Sequence, residues 1–245
     1  RGPWTPDALH GGPVAALLAG AVEAVPAADP VQVTRLTVEL LRPVPLAPLL
    51  VSTSVARPGR KVQVVEATVS DGERPLAWAR ALRLRLQDPD GSGLAAPGGP
   101  GGGGPPGPDA GYATEAPIGA YRAFHNAGAE LRYVRGSFAT IGPATVWVRL
   151  AVPVVAGTAP SPLQRAAAAA DFGNGVSAEL DFTSYLFLNP DLTVYLVRPV
   201  RGEWVCLDAA TRLGTPGVAV AESTLSDADG PVGRALQSLL VEPRS

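Results

Sequence analysis

Apolar and polar residues alternate through four early runs, 31–41, 49–56, 61–70 and 76–86, and Pro-Val-Pro, Arg-Pro-Gly-Arg and Asp-Gly-Glu-Arg-Pro punctuate them. Alternation with period two between turn signals predicts strands with one covered face. Ahead of them, HGGPVAALLAGAVEAV at 10–25 is apolar on most faces and predicts a buried helix opened by glycines. Further on, a loop around 117–129 leads into strand-like runs at 131–141 and 144–155. A second helix starts from Ser161, an N-cap followed by Pro162 at the first helical position, and continues through LQRAAAAADF. Strands return near 181–188, 193–199, 204–211, 218–225 and 233–241. Each half thus reads as one hydrophobic helix followed by an antiparallel meander. A helix apolar nearly all round needs cover on several sides, so the expected fold is α+β, with each helix wrapped by a curled sheet.

The two halves also share text. LTVELLRPV at 36–44 returns 156 positions later as LTVYLVRPV at 192–200, with seven of nine residues identical, too long a match for chance. Ala67-Thr68-Val69-Ser70-Asp71-Gly72 corresponds to Ser223-Thr224-Leu225-Ser226-Asp227 and, two residues later, Gly230. Past the turn, Arg80-Ala81-Leu82 is aligned with Arg234-Ala235-Leu236. A match that tolerates spacing changes in turns while strands persist is the trace of a duplicated unit.

Between the copies, DPDGSGLAAPGGPGGGGPPGP at 88–108 offers almost no side chain to bury and reads as a flexible linker. The expected organisation is 1–87, a linker and connecting loop at 88–130, and 131–245. With 46% hydrophobic and 17% charged residues the chain can build a substantial core, and a net charge of −2 with both signs interspersed argues against a nucleic-acid or anionic-membrane surface. Cys206 is the single cysteine, which excludes an internal disulfide and points to a reducing, cytoplasmic setting. There is no run of 18 or more apolar residues and no leader, so membrane insertion is not expected; the chain begins at Arg1 and has no Met, so the natural amino terminus is expected to lie upstream.

Trp4, HGGPVAALLAGA at 10–21, LTVELLRPV, RPGRKVQVVEATVSDG at 57–72, ADF at 170–172 and ALQSLLVE at 235–242 occur in an order and spacing that resembles the double-hotdog acyl-CoA thioesterases of the bacterial type II group. The resemblance spans nearly all of the chain outside the linker. It implies a tandem double hotdog, fatty acyl-CoA as substrate, hydrolysis to free acid and CoA by a carboxylate-activated water, and no cofactor. Assembly into homo-oligomers is left open.

It also implies a composite site. Superposing the helices with His10 on Pro162 lays Asp171 on Ala19, so the helix carboxylate belongs to the second half alone. The family's glutamine falls on Gln237, and its small hydroxyl residue falls on Asn189, a departure that leaves Thr193 or Thr183 as alternatives. An acid after five alanines on a buried helix is costly unless used or paired, which supports Asp171 as catalytic. His10, Gly11 and Gly12 would bind substrate, the glycine N–H groups at a helix start meeting the thioester oxygen; Arg57, Arg60 or Lys61 would meet CoA phosphates. His10 also reads as a structural hydrogen-bonding group, His125 as a surface or substrate-loop residue, and Cys206 as a core hydrophobe. No Gly-x-Ser-x-Gly elbow occurs, and Gly101–Gly104 lacks the Lys-Ser/Thr of a phosphate loop. Two other functions remain open: a non-catalytic acyl or acyl-CoA binder, and an enoyl-thioester hydratase or dehydratase, which would need a histidine paired with an acid.

Overall fold

The two copies of the repeated stretch lie against each other. In the computed structural model, which describes residues 1–3, 6–87, 104–114 and 121–244, β1 (Val31–Leu40) and β8 (Asp191–Leu196) run antiparallel side by side, with Thr37 opposite Thr193. The threonine hydroxyls, 156 residues apart in sequence, are 3.2 Å from each other. A residue paired with its own copy lies on the two-fold axis that relates the halves.

From that seam the sheet extends both ways. On one side come β4 (Pro75–Arg85), β3 (Val62–Ser70) and β2 (Leu50–Arg57); on the other come β11 (Gly230–Pro243), β10 (Val218–Asp227) and β9 (Trp204–Leu213). The second half is extended by β6 (Ala144–Leu150) and β5 (Ala129–Arg135) beyond β9, while β7 (Tyr185–Leu188) pairs off the path with β11. Every pairing is antiparallel. The strands expected from alternation all form. Those expected at 131–141 and 144–155 end early, the first at a turn where Gly136 adopts φ +76°, a conformation that favours glycine. The connection at 88–103 and Trp4 lie outside the described residues.

Register corrects one alignment. Thr37 pairs with Arg80 and Thr193 with Leu236, so Arg80 corresponds to Leu236 and not to Arg234. The inward-facing Ala81 is therefore the counterpart of Gln237. A shift by two residues keeps every side chain on its own face, so the apolar pattern could not reveal it.

The concave face holds two antiparallel helices, α1 (Gly11–Ala24) and α2 (Pro162–Ala170). Together with the sheet they define a double hotdog. Ser161 caps α2 by accepting from the Gln164 N–H, while the Gln164 side chain accepts from the Ser161 N–H. Close packing needs small residues: Ala166 to Ala170 are all at most 1% exposed, and a Cβ on Gly12 would lie 2.9 Å from the Ala168 carbonyl oxygen. Gln164 Nε2 crosses to the Ala16 carbonyl at 3.2 Å. One continuous core joins both helices to the sheet. Among the described residues no helix is long and apolar enough to cross a membrane.

Candidate active site

Asp171 stands where α2 breaks. Phe172 N–H bonds back three residues to Ala169, tightening the last turn, and the chain resumes as the short helix α3 (Gly173–Val176). The antiparallel helix pair brings this break against the start of α1, so the carboxylate of one half meets the glycines of the other. A Cβ on Gly11 would lie 2.7 Å from both Asp171 carboxyl oxygens, which leaves room only for glycine.

Three side chains hold the acid. Asn189, just before β8, donates from Nδ2 to Asp171 Oδ1 at 2.8 Å. Gln237 of β11 donates to the Asp171 carbonyl at 3.3 Å and more loosely to Oδ1 at 3.5 Å, while its own Oε1 accepts from the Asn174 N–H at 3.1 Å. His10 Nδ1 lies 2.8 Å from Asp171 Oδ2 and 3.0 Å from the Gly12 nitrogen. A ring nitrogen cannot both accept from Gly12 and donate to Asp171. The Gly12 N–H points at Nδ1 as a cap of α1; with Asp171 ionised, as a base must be, the carboxylate can only accept, so Nδ1 then carries the proton, donates to Asp171 and gives up the Gly12 bond. The His10 ring packs against both Phe124 and Phe172, with centroids 5.1 and 5.2 Å away, and those two rings stack on each other at 5.4 Å. Asp171 is 4% exposed and Gln237 2%.

His10, Gly11, Asp171 and Asn189 line the wall of a mainly apolar cavity of about 480 Å³, lined elsewhere by Val14, Leu40, Phe138, Phe182 and Leu240. That size is in the range of small-ligand sites. The Gly11 N–H, at the positive end of α1, has no acceptor among the described residues.

Of the residues singled out in the sequence, His10, Gly11, Gly12, Asp171, Asn189 and Gln237 come together. Thr183 instead bonds Asp181 in a turn and Thr193 lies on the seam, so neither reaches the acid. Arg57 ends β2, the outermost strand, and Arg60 and Lys61 follow in an exposed turn; none of the three lines the cavity. His125, expected in a surface or substrate loop, is buried in a single π-turn (Phe124–Gly128) and forms part of the cavity wall. Burial pushes the Cys206 thiol up to about 12, which removes it as a nucleophile at neutral pH.

Sequence reasoning missed Arg42. It is the Arg-Pro arginine of the first repeat copy, and it lines the cavity while donating to the Pro75 carbonyl at 2.8 Å. Its counterpart Arg198 is locked onto the fully buried carboxylate of Asp227 through two bonds of 2.5 and 2.6 Å. Asp71, the counterpart of Asp227, caps its own turn through the Glu73 and Arg74 N–H groups, and Arg42 has no acidic partner among the described residues. A comparison of the two Arg-Pro copies with their aspartates could have raised Arg42, but not its place on the cavity.

This fold and site define a double-hotdog protein with a composite carboxylate centre. The first part of the chain, residues 1–84, matches the acyl-CoA thioesterase N-terminal domain, and residues 102–241 match the acyl-CoA thioesterase C-terminal domain. The chain belongs to the acyl-CoA thioesterase family. Solved structures share its fold at low identity. A conserved protein of unknown function with a hot dog fold from Alicyclobacillus acidocaldarius is 18% identical, with 99% of this chain and 90% of that one covered and a TM-score of 0.72. The tesB protein of Mycobacterium avium subspecies paratuberculosis is 15% identical over 99% and 91%, TM-score 0.70. An acyl-CoA thioesterase II from Mycobacterium marinum is 18% identical over 97% and 92%, TM-score 0.63. No curated protein sequence matches the chain.

Proposed function

We propose that the protein hydrolyses acyl-CoA thioesters, with Asp171 as the base that positions and deprotonates water. The observation that carries this reading is a nearly buried carboxylate, oriented by Asn189, Gln237 and His10, on the wall of an apolar cavity. The acyl chain lies along that cavity, with its carbonyl near the start of α1. Water gives a proton to Asp171 as its oxygen bonds the carbonyl carbon. The oxygen that gains charge accepts from the Gly11 N–H. Collapse breaks the carbon–sulfur bond, and the proton held on Asp171 passes to the departing thiolate, so free acid and CoA leave and the carboxylate is restored. Arg42 meets phosphates of the CoA portion at the cavity mouth.

The test is release of free thiol from acyl-CoAs of graded chain length. Asp171→Asn keeps the shape and removes the base, so kcat should fall by about 100-fold or more while acyl-CoA binding is largely kept. Unchanged turnover in this variant would remove Asp171 as the base. One observation favours a second reading: the 2.8 Å contact makes His10 and Asp171 the histidine–acid pair that hydration of an enoyl thioester requires. Loss of the enoyl absorbance of a trans-2-enoyl-CoA without release of thiol would establish that reaction instead.

A further inference from the structure

The two-fold axis that builds one site also generates its image. The Gly12–Ala168 packing and the Gln164–Ala16 hydrogen bond exchange under the operation that carries Gly12 to Gln164 and Ala16 to Ala168. That operation sends His10 to Pro162, Gly11 to Leu163 and Asp171 to Ala19; the strand register sends Asn189 to Val33 and Gln237 to Ala81. Every polar member of the first site is apolar in the image. A cavity of about 260 Å³ nevertheless persists there, and Val33, Pro162, Leu163, Leu196 and Pro199 line it. These are the counterparts of Asn189, His10, Gly11, Leu40 and Pro43, which line the first.

Three polar residues of the second cavity, Glu23, Gln32 and Arg83, have no polar precedent in the first, where the image positions carry Gly175, Leu188 and Leu239. Arg83 is 1% exposed. Its Nη1 donates to the carbonyls of Val22 and Val25 at the end of α1, at 3.1 and 2.7 Å, and its Nη2 to Gln63 Oε1 at 2.8 Å. Its Nε is buried without a partner, and no carboxylate of the described residues lies within ion-pair distance. Carbonyl and amide oxygens hold the guanidinium in place but do not neutralise it, and a guanidinium stays charged. A buried cation at the polar end of a cavity whose other walls are apolar is a receptor for an anion that carries its own apolar tail. Glu23, held by Ser161 Oγ, forms part of the same wall, which disfavours a phosphate dianion and leaves the singly charged carboxylate.

We propose that this second cavity binds an amphiphilic monocarboxylate, the head on Arg83 and the tail along Val31, Val33, Leu163 and Leu196. The site does not depend on the reaction run by the first. Titration calorimetry of the full chain with octanoate should find a binding event that Arg83→Gln weakens at least tenfold and that Val31→Trp, which fills the cavity and leaves Arg83 in place, abolishes. Octan-1-ol should bind at least tenfold more weakly, and Glu23→Gln should tighten octanoate a few-fold. Octanoate heats unchanged in both Arg83→Gln and Val31→Trp would confine binding to the first cavity and overturn the proposal. Should Arg83→Gln fail to fold, for want of its bonds to α1, Val31→Trp decides alone.

Discussion

The two ends of the helix pair began as equivalent positions and now differ at every polar residue. At one end Asp171 is caught between His10, Asn189 and Gln237; at the other, the equivalent positions carry Ala19, Pro162, Val33 and Ala81. The difference teaches that a buried carboxylate is a joint property of its neighbours. An isolated charge inside the sheet is expensive, so the acid and its donors must be gained or lost together. Duplication within one chain allows this, because each helix end can change without altering the other. The hairpins show the same divergence: Arg198 is bound to Asp227, while Arg42 is free of Asp71 and reaches the cavity.

The sharpest way to break the comparison is to put the acid at the wrong end. Ala19 is fully buried, so Ala19→Asp should destabilise the fold by about 3–5 kcal/mol in urea unfolding, since none of the three donors is present. Adding Val33→Asn and Ala81→Gln should recover part of that loss, and the double-mutant coupling would measure what the donors supply.

Asp227→Ala should cost about 3 kcal/mol by the same measurement, as it strands the Arg198 guanidinium, whereas Asp71→Ala in the exposed first hairpin should cost less than about 1. The pH dependence has a definite sign. Burial alone would raise the Asp227 carboxyl, but Arg198 and the Arg201 and Asp229 N–H groups more than offset it and hold the carboxyl below its ordinary value. A depressed carboxyl adds stability above its unfolded value, and that stability is lost as pH falls through the folded value. The gap between wild type and Asp227→Ala should therefore narrow below about pH 4.

Gln237→Ala should lower kcat by about tenfold, less than Asp171→Asn, because the glutamine orients the acid without taking a proton. The smallest effect is expected at Arg42→Ala, a rise of a few-fold in KM for acyl-CoA with kcat kept. That rise should shrink at high salt, as the contact is exposed; the same change at Arg57 or Arg60 should leave KM unaltered.

Much of this was legible in the chain. Alternation gave the strands, Ser161 and Pro162 marked the second helix, and the nine-residue repeat announced two equivalent halves. Asp171 could be found because an acid after five alanines conflicts with its surroundings, and a conflict of that kind needs a reason. The limits have equally physical causes. Strand patterning has period two, so it could not separate the alignment of Arg80 with Arg234 from the true one with Leu236, and the counterpart of Gln237 followed only from register. A sequence does not say which ends of two helices meet. Only the antiparallel packing laid Gly11 of one half on Asp171 of the other, turned His10 from a turn residue into a partner of the acid, and drew Arg42 to the cavity in place of Arg57 and Arg60. Composition and periodicity are carried by neighbours along the chain, and they determined the elements; the site is made of contacts between residues as far apart as Asp171 and Gln237, which only the packing of helices on the sheet brings together.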